Sequence, residues 1–240
     1  MNHLSLRLGI GVASGLFAIL SGAGCGLINS DVTNFDLTLP EKKFTIDTAG
    51  WQVDSTKADL YLKQQCGAAP TICNSAVTAA CSTGCSGSCN ATKNTCDLSL
   101  DVSLSQPVNL VMEQPELKTI NDQPVIKVAI DSVKYEVTNN SLNVATPPLT
   151  IYVAPMSVVK STDPLAKAIG TIPSIAAGQT VSSTDIQFTA AGKNELVNIM
   201  STFKTPFNVL IGSSLLVTSG QPVPSGKLDA VVRIKGHAGL

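Results

Sequence analysis

Six cysteines lie within 31 residues of this 240-residue chain, and they restrict what that part of the chain can form. If the protein is exported, an even number of cysteines in one segment indicates three disulfide bonds. Six cysteines allow 15 pairings, and their spacing does not choose among them. The residues between them are mainly Ala, Ser, Thr, Gly and Asn, so we expect the bridges, rather than a core, to order a loop-rich lobe. The six are Cys66, Cys73, Cys81, Cys85, Cys89 and Cys96.

The alternative for these cysteines is a zinc or iron–sulfur site. Structural zinc is usually held by pairs of Cys or His two to four residues apart, with a longer loop between the pairs. Cys81, Cys85 and Cys89 instead follow one another at equal spacings of four, and the two histidines, His3 and His237, are far away in the sequence. We therefore predict disulfides, with no metal and no other cofactor.

The first 24 residues predict a signal peptide. Arg7 supplies a short positive start, and residues 8–20 form an uncharged, largely apolar run of 13 residues. A helix that spans a bilayer needs about 20 apolar residues, so this run is too short to span but fits the apolar part of an export signal. Small residues then lead into Cys25.

The end of this signal resembles the lipobox of bacterial lipoproteins, in which the cysteine is lipidated and becomes the new N-terminus. Ala23 and Gly24 match the last two places before Cys25, whereas Gly22 stands where the family has Leu. The resemblance implies a lipid anchor on Cys25 and therefore a membrane as partner. Because the next residue is Gly26 and not Asp, it also implies sorting to the outer membrane.

The alternative is cleavage by ordinary signal peptidase. Ser21-Gly22-Ala23 has the small-x-small pattern of such a site. Cleavage after Ala23 would release a soluble protein that is secreted or periplasmic.

Alternating apolar residues predict strands along most of the remaining chain. In the clearest run the intervening positions are polar, and they include Asp97 and Asp101 on the outward face. In residues 125–137 the apolar residues change from even to odd positions, which predicts a β-bulge near Asp131-Ser132. The apolar positions of the clearest run are Leu98, Leu100, Val102 and Leu104.

One segment predicts a helix near residues 190–203. Leu196, Ile199, Met200 and Phe203 are separated by three or four residues and therefore share one stripe, which we interpret as core. Residues 54–65 are ambiguous, because Asp54 or Ser55 could cap a short helix while Leu60 and Leu62 could alternate in a strand.

These patterns predict an all-β fold, mainly an antiparallel β-sandwich with an immunoglobulin-like or fibronectin-like layout. About ten short strands are separated by Gly, Pro and Asn turns, and no βαβ alternation is present. We expect a signal peptide (1–24), N-terminal strands of the β domain (25–57), a cysteine-rich disulfide-stapled insertion (58–97) and the main sandwich (98–240).

The half from Val125 to Ile234 loosely resembles the water-stress and late-embryogenesis type 2 β-sandwich modules. The likeness lies in the layout: a Tyr-Glu-Val-Thr-Asn-Asn strand end, an Ile-Ala-Ala-Gly-Gln-Thr turn and paired strands. The Asn-Pro motif of these modules is absent, since Asn139-Asn140-Ser141 stands in its place. The resemblance implies a fold and no function.

Charge and aromatic content exclude some function classes. The 16 basic and 17 acidic residues are scattered, so the chain lacks the basic surface that binds nucleic acid. Aromatic residues make up 4% of the chain, too few for a broad stacking platform. We interpret the single tryptophan, Trp51, as a core residue.

Catalytic groups are scarce. Removal of the signal leaves His237 as the one histidine, and no serine stands in a Gly-x-Ser-x-Gly turn, so a Ser–His–Asp triad is not predicted. A glycoside hydrolase needs two carboxylates, and Asp97 and Asp101 share a strand face. A solvated face explains that pair without catalysis.

The leading prediction is a non-enzymatic lipoprotein that acts as a structural or interaction module of the cell envelope. The cysteine-rich lobe is the predicted protein-partner surface, and the sheets are expected to survive loss of its bridges. The alternative is a carrier that encloses an apolar ligand, because the chain has many aliphatic and few charged residues. A carboxylate-based hydrolase is the third hypothesis.

Overall fold

Eleven strands form two antiparallel sheets in the computed structural model, which describes residues 35–119 and 126–239. The signal peptide and Cys25 lie outside the described residues, so lipidation and cleavage stay predictions. The strands are β1 Phe35–Asp36, β2 Lys42–Asp47, β3 Cys85–Asn90, β4 Thr95–Val108, β5 Lys127–Asn140, β6 Leu149–Pro155, β7 Lys167–Ile172, β8 Val181–Asp185, β9 Gln187–Phe188, β10 Phe207–Val217 and β11 Lys227–Gly239.

The first sheet has five strands and is centred on β11. Strands β1 and β2 both pair with one edge of β11, while β5 pairs with its other edge and β8 pairs with β5. The second sheet has six strands in the order β3-β4-β10-β6-β7-β9. Both sheets contribute to one hydrophobic core, so the predicted mainly antiparallel, sandwich-like arrangement is confirmed.

The predicted bulge in β5 is confirmed. Lys235 pairs with Ser132 and the next residue of β11, Gly236, pairs with Ile130, so Asp131 is the extra residue. On either side of it the buried positions are Ile130 and Val133, which explains the change of phase in the sequence.

Within residues 35–119 and 126–239, four α-helices accompany the sheets, whereas the sequence predicted one helix and left residues 54–65 ambiguous. The predicted helix is present as α4, and its apolar stripe lies in the core, with Leu196 and Met200 fully buried. The ambiguous segment is helical, because the Asp54 carboxylate accepts a hydrogen bond from Lys57 N and caps α1. The helices are α1 Ser55–Leu62, α2 Ile72–Ala80, α3 Leu110–Glu113 and α4 Gly192–Ser201.

The strand register defines two ends of the molecule. At the proximal end, Phe35 pairs with Ala238 in the first sheet, and Phe207 pairs with Val108 in the second. The side chain of Gln114 donates a hydrogen bond to Thr38 O there, which joins the two sheets. At the distal end Lys227 pairs with Asp47, and the loops that follow β5, β7 and β10 meet.

A buried ion pair ties β2 to the end of β4. Lys42 Nζ lies 2.7 Å from Glu113 Oε1 and donates a hydrogen bond to Pro107 O at 3.0 Å. The two side chains are only 9% and 17% exposed, and Glu113 Oε2 is buried without a hydrogen-bond partner. Little water reaches these two charges, so each depends on its partner.

In the part of the chain that the structure describes, no helix is long and apolar enough to cross a membrane.

Candidate interaction surfaces

The six predicted cysteines form three disulfides, as expected. Cys66 pairs with Cys89, Cys73 with Cys96, and Cys81 with Cys85. The first two bridges each span 23 positions of sequence, whereas the third spans only four. Three bridges indicate a protein that folds in an oxidising compartment outside the cytoplasm.

The cysteine segment, as we call the predicted insertion of residues 58–97, is more regular than the expected loop-rich lobe. It contains α2 and the strand β3, which pairs along β4 and forms one edge of the six-stranded sheet. Cys73, Val77 and Ala80 on α2 are buried in the common core. The expectation that bridges alone order this segment is therefore wrong, because it also contributes buried side chains and a full strand pairing.

Trp51 is a core residue, as predicted. Its side chain is 8% exposed, and its indole N–H donates a hydrogen bond to Asp101 O at 2.8 Å. The turn between Cys81 and Cys85 packs against the ring at Gly84, whose φ of +64° favours glycine. The indole thus connects the turn that precedes β3 to the middle of β4.

Tyr61 connects the two helices of the cysteine segment to β4. Its hydroxyl lies 3.2 Å from Cys73 O and 3.1 Å from Asp97 O, and the ring is 4% exposed. A side chain at Gly87 would collide with this hydroxyl. Strand β3 can therefore lie this close to Tyr61 only because residue 87 is glycine. Burial, followed by the negative charge of Asp97, raises the pKa of Tyr61 to about 12.

Asp97 is buried, contrary to the prediction that it faces water. It is 6% exposed, and Asn90 Nδ2 donates a hydrogen bond to its Oδ2 at 3.0 Å, while its Oδ1 has no partner. The period of two does not reveal this burial, because the contact with Asn90 comes from the neighbouring strand β3. Asp101 on the same strand is exposed.

The acidic pair does not have the spacing that glycoside hydrolysis needs. Residues four apart on a strand are separated by about 13 Å along it. Paired catalytic carboxyl groups lie about 5–9.5 Å apart. Asp97 and Asp101 therefore do not support the hydrolase hypothesis.

His237 lies on the outer face of the five-stranded sheet. Its Nδ1 is 3.0 Å from Asp131 Oδ1, and both side chains are more than half exposed. Within residues 35–119 and 126–239, no serine, threonine or cysteine side chain hydrogen-bonds to the imidazole. The histidine and the bulged aspartate form a solvent-exposed pair.

Residues from both sheets line a small cavity. A largely enclosed apolar cavity beside Trp51, Leu142 and Leu149 has a volume of about 10 Å³. Sites for small ligands usually measure about 300–1,000 Å³, so this cavity does not hold an apolar molecule. Larger spaces, such as one of about 610 Å³ beside Met112 and Phe203, are open surface grooves.

Three loops at the distal end form an uncharged surface that the sequence analysis did not single out. We call residues 141–148, 173–180 and 218–226 the distal loop cluster. None of these residues is charged, and most are Ser, Thr, Asn, Gln, Gly, Ala or Pro. In the sequence, this surface could have been recognised from three separate turns, in the same half of the chain, that contain no Lys, Arg, Asp or Glu.

Side-chain hydrogen bonds hold the distal loop cluster together. Asn143 donates from Nδ2 to Val223 O at 3.0 Å and accepts from Ser225 N at 2.7 Å. Thr146 Oγ1 accepts from Ile175 N at 3.0 Å, and the backbone N–H of Thr146 donates to Ile175 O. The first loop therefore fixes the other two, so the cluster is pre-organised.

The cysteine segment reaches the distal loop cluster through Lys93. Its ammonium group, in the β3–β4 turn, donates hydrogen bonds to Thr218 Oγ1 at 2.9 Å and to Ser219 O at 3.3 Å. The predicted partner surface and the distal loop cluster are thus neighbours.

The chain matches no protein-family model and no curated protein sequence.

Replacement of Tyr61 by phenylalanine is expected to lower the free energy of unfolding by about 1–3 kcal/mol, because buried carbonyls lose their donor. In the parent, stability should also fall between pH 10 and 12. There the unfolded chain loses the phenolic proton, whereas the folded protein, with its pKa of about 12, keeps it. Denaturant unfolding at several pH values measures both effects, and equal pH profiles for the two proteins would contradict the assignment.

Proposed function

We propose that the protein is an exported lipoprotein that acts as a non-enzymatic interaction module of the cell envelope, anchored by lipid on Cys25 at the outer membrane. The observation that supports it best is the distal loop cluster, an uncharged and internally hydrogen-bonded surface opposite residue 35. Rigid loops lose little conformational entropy when they bind, which favours recognition.

The proposed fold is an immunoglobulin-like or fibronectin-like sandwich. In such domains the loops cluster at the two ends of the sheets, and those at one end commonly bind partners. The distal loop cluster and the adjacent cysteine segment would form a single partner surface. Its uncharged amide and hydroxyl groups suit a protein surface with matching hydrogen-bond donors and acceptors.

Substitution of Cys25 by serine tests the anchor. The parent is expected to fractionate with membranes and to incorporate a fatty-acid label, because acyl chains on Cys25 partition into the bilayer. The variant should appear in the soluble fraction without label. If both proteins are soluble and unlabelled, cleavage after Ala23 replaces the lipoprotein proposal.

Site-specific photocrosslinking in cells tests the partner surface. A photoreactive residue at Ala145, Ala177 or Thr92, all exposed, is expected to capture the same envelope protein. The matched control is Lys193, which is exposed in the first turn of α4, where the neighbouring Gly192 lies against Ile169 of β7 rather than in the distal loop cluster. Adducts at Thr92 alone would restrict the surface to the cysteine segment, and equal adducts at Lys193 would contradict the proposal.

A further inference from the structure

Two of the three disulfides lie against each other inside the cysteine segment. They are Cys66–Cys89 and Cys73–Cys96. The Sγ atoms of Cys66, Cys73 and Cys96 all lie within 4.8 Å of one another. One sulfur of the first bridge is therefore close to both sulfurs of the second. Within residues 35–119 and 126–239, the third bridge belongs to no such group of sulfur atoms.

The four cysteines differ in their access to solvent. Cys66, Cys73 and Cys96 are at most 1% exposed, whereas Cys89 is partly exposed. Thiol–disulfide exchange begins when a thiolate attacks a disulfide sulfur, so it requires access to that sulfur. An external thiol therefore has to attack at Cys89. We call Cys66–Cys89 the entry bridge and Cys73–Cys96 the buried bridge.

Attack at Cys89 opens the entry bridge. A bond forms between the incoming sulfur and Cys89 Sγ, and Cys66 leaves as a thiolate with the electron pair of the broken bond. The Cys66 sulfur lies within 4.8 Å of Cys73 Sγ, so the thiolate can attack there. A Cys66–Cys73 bond then forms, and Cys96 leaves as the next thiolate.

The strand register returns the reaction to Cys89. Cys96 of β4 stands directly opposite Cys89 of β3. Opposite residues in antiparallel strands have Cα atoms about 4.5–5.5 Å apart, and disulfides join Cα atoms about 4.4–6.8 Å apart. The Cys96 thiolate can therefore attack the mixed disulfide at Cys89, which forms a Cys89–Cys96 bond and expels the external thiol. One thiol enters and one leaves, so the exchange needs no oxidant or reductant.

We propose that Cys89 is a site of thiol exchange, through which the four cysteines change to the pairing Cys66–Cys73 and Cys89–Cys96. The reagent is a small-molecule thiol, because Cys89 is only partly exposed and its bridge partner is buried. In the new pairing no disulfide joins α2 to β4, since Cys73 is bonded to Cys66 instead. The proposal does not depend on the lipid anchor or on a protein partner.

Disulfide mapping of the folded protein tests this exchange. The exported Cys25→Ser chain, whose six remaining cysteines are all bridged, is incubated with reduced glutathione in a mildly alkaline buffer without denaturant. Acid stops the reaction, and peptic digestion with mass spectrometry identifies the linked peptides. We expect a glutathione adduct on Cys89 first, followed by peptides linked through Cys66–Cys73 and Cys89–Cys96.

Two double variants separate this route from general opening of the fold. In Cys66→Ala/Cys89→Ala the entry bridge is absent, and glutathione should open the buried bridge at least about tenfold more slowly than in the parent, because no accessible sulfur leads to it. The matched control, Cys81→Ala/Cys85→Ala, removes the other bridge that has one partly exposed cysteine and should keep the parent rate. Circular dichroism verifies that both variants fold.

Three results would overturn the proposal: reaction at Cys73 or Cys96 before Cys89, loss of the buried bridge at the same rate in both variants and the parent, or no change of pairing in the parent. If the variant without the entry bridge does not fold, the order of adducts and the final pairing in the parent decide the question.

Discussion

Replacing Lys42 by methionine is expected to lower the free energy of unfolding by about 3–5 kcal/mol. The substitution leaves the Glu113 carboxylate in an interior position where Lys42 Nζ, at 2.7 Å, is its only ion-pair partner among the described residues. Methionine keeps most of the volume of the lysine stem, so the loss would reflect the uncompensated charge rather than a cavity. Urea unfolding, followed by circular dichroism at neutral pH, measures the difference.

Two controls identify the cause. Lys42→Met/Glu113→Gln removes both charges and is expected to recover a large part of the stability, because an uncharged amide is less costly to bury. Lys63→Met removes one partner of the exposed pair with Asp59, whose side chains are 63% and 60% exposed, and should cost less than about 1 kcal/mol. If Lys42→Met is as mild as Lys63→Met, the pair is not an important constraint on the fold.

Removal of the Cys73–Cys96 bridge is expected to have an effect of similar size. For the Cys73→Ala/Cys96→Ala variant, the constraint of 23 positions in the unfolded chain corresponds to about 3 kcal/mol. Both residues are also completely buried, so contacts of the sulfur atoms in the core are lost as well. Calorimetric melting under non-reducing conditions measures the change.

The Cys81–Cys85 bridge supplies the matched control. Cys81→Ala/Cys85→Ala removes the same number of sulfur atoms, but its bridge spans only four positions of sequence. The constraint that this bridge places on the unfolded chain corresponds to about 2 kcal/mol. The Cys73–Cys96 variant should therefore melt at the lower temperature. The reverse order would mean that the cysteine segment is less firmly joined to the core than the structure indicates.

The spacing of apolar residues predicted those strands and helices that bury one face along their whole length, because burial of one face leaves a regular pattern in the sequence. The phase change around Asp131 located a bulge because a single extra residue must reverse the faces of β5. The spacing of Leu196 and Met200 located α4 because its stripe is long and apolar.

The cysteine segment was harder to predict because its residues are small. Cys73, Val77 and Ala80 do lie four and three residues apart, as one helix face requires, but none carries a large apolar group that makes the stripe conspicuous. The burial of Asp97 and the meeting of the distal loops depend on contacts between segments far apart in sequence. The pattern of residues within one segment does not predict such contacts.

Strand β3 is the outermost strand of its sheet, and outermost strands usually open first in local fluctuations. Here both ends of the strand are covalently fixed: Cys85 to Cys81 at the end of α2, and Cys89 to Cys66 beyond α1. The strand cannot separate from β4 without moving two helices that belong to the core. The amide hydrogens that β3 donates to β4 should therefore exchange with solvent nearly as slowly as those of the central strands.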